Sequence, residues 1–594
     1  MNALLIHSNN LNPNLVNKFP GDKVAIDYSE SIQRSNFILD RFLHEELSNA
    51  FNNKEYQLIF IPYTLSQQNY LELTGLRVAA HIRTTDEFNH QYVPIVFVGP
   101  ETPEQIARLS DLGYILFTSG VFSTASQESD FLKKFFDRIM EEKSKITESE
   151  HAKGIERLQL SPPANYQSHH SIDNELALLR WSEYLKCDDR IPEVKENLKA
   201  GLYFKYHRVL NPVRPSGTGN PYLIYAKGKV LLIDDEAEKG WKDFYKCFFK
   251  HSPQITFNSL SADFKSLSQQ DIIEAARKKV EEFDAEVVLL DLRLCDLDFD
   301  TDPQPEPKNL TGYKVLEEIK KINKGIQVII TTASNKIRNY LSTHDLGANG
   351  YIIKRGDSDV AEDIKNLKNE IEYAIKASQP LKDFDEISGD ISQNINKEAE
   401  WNDDFKNKVQ DYLNISFDLL VKSFKNSDYR RYAYLQLFLV IEEFLAQEHI
   451  FSYGDNCFID NNILVTHKIR EGDNRSFKSI IKRNPGSKIY TIEESEYNWT
   501  IDVNYKMSAV LIFRYGFDSS NKKDWHTINE IRNTKAAHKG TTVSLREVLH
   551  LINFIDFIVN PQNKQFRSQN EGLSQPSLMS NLRSLNQNSI GDKK

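Results

Sequence analysis

At 594 residues the chain has room for about three or four domains, and its 40% hydrophobic and 27% charged content is ordinary for a soluble globular protein. A net charge of −10 excludes a chain that coats nucleic acid through bulk charge, although a local basic patch stays open. The four cysteines are scattered without metal-type spacing and fit a reducing cytoplasm; no apolar run approaches the ~20 residues that span a bilayer, and MNALLIHSNN has no signal-peptide character.

In chain order, residues 1–145 read as an α/β domain. Leu4-Leu5-Ile6, Gln57–Leu65 (QLIFIPYTL) and Pro94–Gly99 are apolar strand runs. Residues 146–226 read as a linker with one helical segment. Pro162-Pro163 and the loop-like Asn211–Pro221 flank Ile172–Leu185, whose apolar residues have helical spacing. His169-His170 suggests a metal, but nothing nearby completes a ligand set.

Residues 227–378 carry the densest signal. Lys229–Glu236 (KVLLIDDE) is an apolar strand ending in Asp234 and Asp235, and Ala285–Leu294 (AEVVLLDLRL) runs four apolar residues into Asp291. Gln327–Ser334 (QVIITTAS) ends in hydroxyls and Leu346–Arg355 (LGANGYIIKR) ends in Lys354. Amphipathic helical segments separate them, so a parallel sheet with right-handed crossovers places all these polar groups at its C-terminal edge. Three carboxylates there repel one another, and Mg²⁺ would neutralise them; Asp291 can then act as a nucleophile toward phosphorus, with Thr332 and Lys354 on the phosphoryl oxygens. These residues resemble a response-regulator receiver domain. The resemblance implies Asp291 as phospho-acceptor, Asp234, Asp235 and Asp291 as the Mg²⁺ site, and Thr332, Tyr351 and Lys354 as switch residues, with a histidine kinase or other phosphodonor as partner. Two departures stand out: Arg355 follows the lysine where the family usually has proline, and the Asp-, Pro- and Glu-rich loop Cys295–Lys308 is long. That loop either reshapes the acceptor's surroundings or is a solvated insertion.

Residues 1–145 repeat this pattern in degenerate form. His7 and Ser8 stand where Asp234 and Asp235 stand, Pro62 falls at the acceptor position, Thr74-Gly75 parallels Thr311-Gly312, Asp111-Leu112-Gly113 parallels Asp345-Leu346-Gly347, and Phe117 falls near the lysine position. Such a pseudo-receiver cannot take phosphate; an unrelated doubly wound domain is the other reading.

After a polar connector, 379–396, residues 397–562 are expected to be mostly helical. Long amphipathic segments cover Phe405–Phe424 and Asp428–Gln447, an irregular middle holds possible strands at Phe458–Leu464 and Ile489–Ile492, and helices cover Trp525–Lys539 and Ser544–Val559. The tail 563–594 reads as disordered. Asp524–Gly540 (DWHTINEIRNTKAAHKG) contains Arg532-Asn533 and then His538, an R-x5-H pattern. This resembles the HEPN superfamily. The resemblance implies metal-independent RNA cleavage with Arg532, Asn533 and His538 as catalytic residues, no cofactor at that site, and a homodimer that completes the cleft. A histidine moving the 2′-hydroxyl proton and an arginine stabilising phosphorane charge is sensible chemistry. On an ideal α-helix Arg532 and His538 stand about 120° apart, which also argues for a partner subunit. A cap with a surface ion pair is the plain alternative. Lys478, Lys482 and Arg483, in a basic run, are candidate RNA contacts or a solvated loop. The whole reads as two doubly wound parallel-sheet domains followed by an all-α domain: a phosphorylation-controlled ribonuclease, plausibly a bacterial stress or antiphage effector, cytoplasmic and without membrane partners. The alternative is a non-catalytic response regulator whose C-terminal domain only dimerises or binds a partner.

Overall fold

The computed structural model describes most of residues 2–563; the larger stretches outside that description are 126–146 (apart from Ile139), 164–168, 188–198, 214–221, 299–305, 471–479, 484–488, 495–502, 516–522 and 564–594. The expected disordered tail and Lys478 therefore lie outside the described residues. The chain divides into two units, Met1–Glu318 with Val328–Glu372, and Ile319–Gln327 with Tyr373–Lys594.

The first unit holds two parallel sheets with one strand order. β1 (Ala3–His7), β2 (Asp22–Ala25), β3 (Leu58–Pro62), β4 (Ile95–Val98) and β5 (Val121–Thr124) stand in the order 2-1-3-4-5. β6 (Gly228–Ile233), β7 (Ile255–Ser259), β8 (Val287–Leu290), β9 (Gln327–Thr332) and β10 (Gly350–Ile353) repeat it, with Gln327 the only strand residue assigned to the other unit. In both sheets β1, β3, β4 and their counterparts are buried on both faces, which is why they read as unbroken apolar runs. The repetition extends to atoms. Gly75 N donates to Tyr63 O and Gly312 N to Leu292 O, each at 3.0 Å. A Cβ on Gly75 would stand 1.9 Å from Pro62 O, and one on Gly312 would stand 2.2 Å from Asp291 O, so only glycine lets the helix start approach the strand end at either place.

The helices of this unit used below are α1 (Leu39–Phe51), α2 (Thr74–Thr84), α3 (Glu148–Glu156), α4 (His169–Leu185), α5 (Leu202–Leu210) and α6 (Trp241–Phe249). Residues 146–226, expected as a linker with one helix, instead supply α3, α4 and α5. Ile155, Leu158 and Leu202 are buried in the core of the first sheet, so proline and polar content misled the sequence reading by hiding short amphipathic helices. α5 is also tied down by charge. Asp40 Oδ1 accepts from Arg77 Nε at 2.5 Å and from His81 Nε2 at 3.1 Å, while its Oδ2 accepts from Leu202 N at 3.0 Å. Lys205 Nζ lies 3.0 Å from His44 Nδ1 and 3.1 Å from His81 Nδ1. Burial would raise the Asp40 carboxyl, but the hydrogen bonds from His81 and Arg77 and the Arg77 charge outweigh it and hold it below the usual range. Burial, then the Lys205 charge, pushes His81 down to about 4.

A consequence in solution follows. Neutral in the folded chain and protonated near 6.5 when unfolded, His81 makes the unfolded state bind more protons between pH 6.5 and 4, so stability falls as pH falls through that window. The fully buried ring is worth on the order of 3 kcal/mol across it. Urea unfolding followed by the first unit's signal at pH 7 and pH 4.5 should show this slope, to which His44 and His151, also lowered to about 4 by burial, add; His81→Gln should reduce the slope by one histidine's share, and an equal slope in the variant would assign the acid sensitivity to the others.

In the second unit, α7 (Val360–Lys397) runs on from Tyr373, followed by α8 (Asp403–Ser423), α9 (Tyr429–Leu445), α10 (Val503–Phe513), α11 (Lys523–Ile531) and α12 (Leu545–Val559). Three expectations need correction. The stretch 379–396 is helix, not connector: Pro380 sits inside α7, and Leu381, Phe384, Ile391 and Ile395 are buried in the helical core. The unit is not all-α: β11 (Ile450–Tyr453), β12 (Asn456–Ile459), β13 (Ile463–Ile469), β14 (Ile480–Arg483) and β15 (Ile489–Glu494) form a mixed sheet in the order 11-12-13-15-14. The third concerns the helix of the R-x5-H pattern and is taken up below. α12 is as expected, with Ser544 as N-cap in a capping box with Glu547.

Candidate functional site

Five polar residues from the ends of four strands meet at the C-terminal edge of the second sheet. Asp234 and Asp235 follow β6, Asp291 follows β8, Thr332 ends β9 and Lys354 follows β10. Pairing fixes this: Ile233 is registered with Leu290, Thr332 with Ile353, and Asp291 N donates to Ile233 O at 2.9 Å. Carboxylate oxygens of Asp234, Asp235 and Asp291 all lie within 4.8 Å of one another. Lys354 Nζ is 2.6 Å from Asp234 Oδ2 and 3.5 Å from Asp291 Oδ2. Asp234, Lys354 and Asp291 are all buried, Asp291 the least completely at 8% exposure. Tyr351, on β10, is half-buried and meets Tyr340 edge-on at 5.4 Å. The structure thus brings Asp234, Asp235, Asp291 and Lys354 together, with Thr332 at the same sheet edge by register and Tyr351 on β10 three residues before Lys354.

Electrostatics show what the pocket lacks. Burial, reinforced by Asp234 and Asp291, pushes Asp235 up to about 9. Burial, opposed by Lys354 and reinforced by Asp234, raises Asp291 to about 6. Lys354 is held above its usual range because the two carboxylates outweigh its desolvation. Two buried acids and the half-buried Asp235 against one ammonium leave negative charge that a hard divalent cation would relieve, and an all-oxygen donor set suits Mg²⁺.

Several residues that shape the pocket escaped the sequence. Trp241, at the start of α6, carries Lys354 Nζ 4.4 Å from its ring centroid. Glu236 is held by Asn174 of α4 and by Lys239. Two residues after Lys354, Gly356 packs on Leu176, and a Cβ there would lie 2.4 Å from Leu176 Cδ2. The long loop after Asp291 is pinned at its base by buried Asp298, which accepts from Leu294 N, Cys295 N and Thr311 N at 2.8, 3.1 and 2.9 Å; residues 299–305 lie outside the described residues.

At the same edge of the first sheet the chemistry is gone. By register Val98 takes the place of Thr332 and Pro62 that of Asp291. Phe117 does not stand at the lysine position; it lies in a 3-10 turn ahead of β5, and the residue after β5 is Ala125. Tyr63 stacks on Phe97 at 5.4 Å beside this edge. Residues 10–124 match the family model described as Inactive Receiver domain. No curated protein matches the chain. An inactive receiver domain therefore occupies the N-terminal part of the chain, consistent with response-regulator-type signalling. Among the described residues no helix is long and apolar enough to cross a membrane.

In the second unit the R-x5-H pattern does not lie on one α-helix. α11 stops at Ile531, Arg532–Ala536 form a π-turn, and His538 sits beyond it in an exposed bend before Gly540 at φ +89°. The 120° separation on an ideal helix therefore does not apply. Arg532 Nη1 donates to Asn533 Oδ1 at 2.9 Å, its Nη2 lies 3.5 Å from Glu442 Oε1, and the guanidinium stands 5.3 Å from the Phe438 ring centroid. Arg431, which the sequence did not single out, donates to His538 O at 2.9 Å. Ala536 is buried within its own unit and Ala537 is exposed. Lys482 and Arg483 lie on β14; their side chains fall outside the described residues.

Proposed function

We propose that the chain is a response regulator that takes a phosphoryl group on Asp291. The observation that carries this is the convergence of three carboxylates within 4.8 Å with Lys354 Nζ 2.6 Å from Asp234 and 3.5 Å from Asp291. Asp234, Asp235 and Asp291 would hold Mg²⁺, which supplies charge neutralisation for an incoming anion. An Asp291 oxygen attacks the phosphorus of the donor; the new P–O bond forms as the bond to the leaving group breaks, and that group departs with the electron pair. Lys354 and Thr332 hold the phosphoryl oxygens as charge builds on them. A histidine kinase or a small phosphodonor would supply the group.

Incubation of the full chain with acetyl phosphate and Mg²⁺ should add one phosphoryl group, seen as an acid-stable, hydroxylamine-labile mass increment. EDTA or Asp291→Asn should abolish it. Peptides from residues 1–125 should carry none, because Pro62 has no nucleophile. Equal labelling of Asp291→Asn would sink the assignment.

For the output, a second observation favours metal-independent RNA cleavage: Arg532, bonded to Asn533, opens a π-turn that ends two residues before His538, a rare geometry frequent at functional sites. In this reading His538 moves the 2′-hydroxyl proton, Arg532 stabilises the phosphorane, and a homodimer through the second unit completes the cleft. The different reading, an output unit that only binds a partner, is separated from it by the cleavage assay argued in the Discussion.

A further inference from the structure

The sheet edge that carries the acids is also where α4 docks. Lys354 Nζ faces Asp234 and Asp291 on one side and the Trp241 ring, at 4.4 Å, on another. Trp241 is buried, and it meets Trp181 of α4 edge-on, with centroids 5.6 Å apart and planes at 86°. Around this contact α4 grips the two loops of the pocket. Asn174 Nδ2 donates to Glu236, the residue after Asp235. Arg180 Nη1 donates to Gly356 O and, at 3.0 Å, to Ser358 O, while Leu176 occupies the space that a side chain at position 356 would need. The anchors of α4 thus lie next to Asp235 and two to four residues after Lys354. α5, by contrast, packs on the first sheet, through Leu202 N on Asp40 and Lys205 on His81.

We propose that α4 is the internal reader of the Asp291 pocket, with Trp241 as the positioning residue that passes on its occupancy: a tetrahedral anion on Asp291 draws Lys354 off the Trp241 ring, and α4 loosens from both loops. The inference rests on the phosphoacceptor reading above. A phosphoryl group adds about −1.5 to −2 of charge beyond Asp291. An ammonium is a donor only, and a charge-assisted bond to a phosphoryl oxygen outweighs a cation–π contact. Occupancy therefore stabilises the state with Lys354 displaced, and that differential is what shifts the α4 equilibrium.

Beryllofluoride with Mg²⁺, a stable tetrahedral anion that binds carboxylates of this kind, tests the idea on the full chain. Fluorine NMR reports binding, and hydrogen exchange of peptides within residues 171–187 reports α4. Wild type should show a bound fluorine signal that Asp291→Asn lacks, together with a several-fold rise in α4 exchange. Trp241→Leu should exchange fast at α4 before any beryllofluoride is added and gain little on adding it; Trp241→Phe, which keeps a ring, should fall between. Protection of β8 amides checks that each variant is folded. A bound fluorine signal with unchanged α4 exchange overturns this inference alone. Absence of any Asp291-dependent signal overturns the phosphoacceptor reading and this inference with it.

Discussion

Lys354→Met is expected to lower the stability of the first unit by about 3–5 kcal/mol in the absence of divalent cation. The wild-type ammonium is buried, 2.6 Å from Asp234 and 3.5 Å from Asp291, with its fourth side against Trp241. Methionine keeps the packing on that ring but leaves buried carboxylates with no counter-charge, and an uncompensated buried charge is the costly case. An exposed pair such as Lys229–Asp284, 3.1 Å apart, sets the contrast: its removal should cost less than about 1 kcal/mol because solvent already screens it. Two rescues distinguish charge from packing. Mg²⁺ should stabilise Lys354→Met more than wild type, and Asp234→Asn should recover a large part of the loss when combined with it but not when made alone. Denaturant titration of the four chains, with and without Mg²⁺, gives the cycle. A loss under about 1 kcal/mol for Lys354→Met would mean that water, not Lys354, satisfies the acids.

The pocket was legible in the sequence because parallel strands announce themselves. VLLI before Asp234, VVLL before Asp291 and the hydroxyls after QVII are strand ends, and one parallel sheet brings all strand ends to one edge. The same logic exposed the first sheet despite its lost chemistry, since Gly75 and Gly312 answer the same steric demand. What sequence could not give is which helix lies on which edge. α4 had a helical pattern, but nothing in Asn174, Leu176 or Arg180 says that their partners are Glu236, Gly356 and Ser358, more than 60 residues away in each case. The only hint was Gly356 after a lysine and arginine, where a helix would later press. In the second unit the failures have other causes. Residues 379–396 looked like a connector because the stretch opens on Pro380 and is polar and acidic, yet a proline within a helix is tolerated when a buried stripe such as Leu381, Phe384 and Ile391 holds both sides. The mixed sheet was legible only in part: the possible strands at Phe458–Leu464 and Ile489–Ile492 fall on β12, β13 and β15, while β11 and β14, four residues each, gave no signal, and the π-turn at Arg532 has no sequence signature at all.

His538→Ala should reduce RNA cleavage by the full chain by on the order of 100-fold or more, and EDTA should leave the wild-type rate unchanged. The exposed imidazole stands free of the helix ladder in its bend, while Arg431 fixes the backbone beneath it through His538 O at 2.9 Å. Arg532→Lys tests the other half. Lysine keeps the charge near Glu442 but loses the planar fork that bonds Asn533 and faces Phe438, so cleavage should fall at least ten-fold while folding is preserved. Arg431→Ala, by loosening the bend, should lower kcat more than it raises KM, which is what a positioning residue does. Phosphorylation adds the last arm. A modification shifts an equilibrium only by its differential stabilisation of two states, typically about 1–3 kcal/mol or roughly 5- to 150-fold, so acetyl phosphate with Mg²⁺ should change the wild-type cleavage rate by several-fold and leave Asp291→Asn unmoved. Uniform absence of RNA cleavage in wild type, under conditions where Asp291 is labelled, would assign the second unit to partner binding and leave Arg532, Asn533 and His538 as a surface cluster on a structural turn.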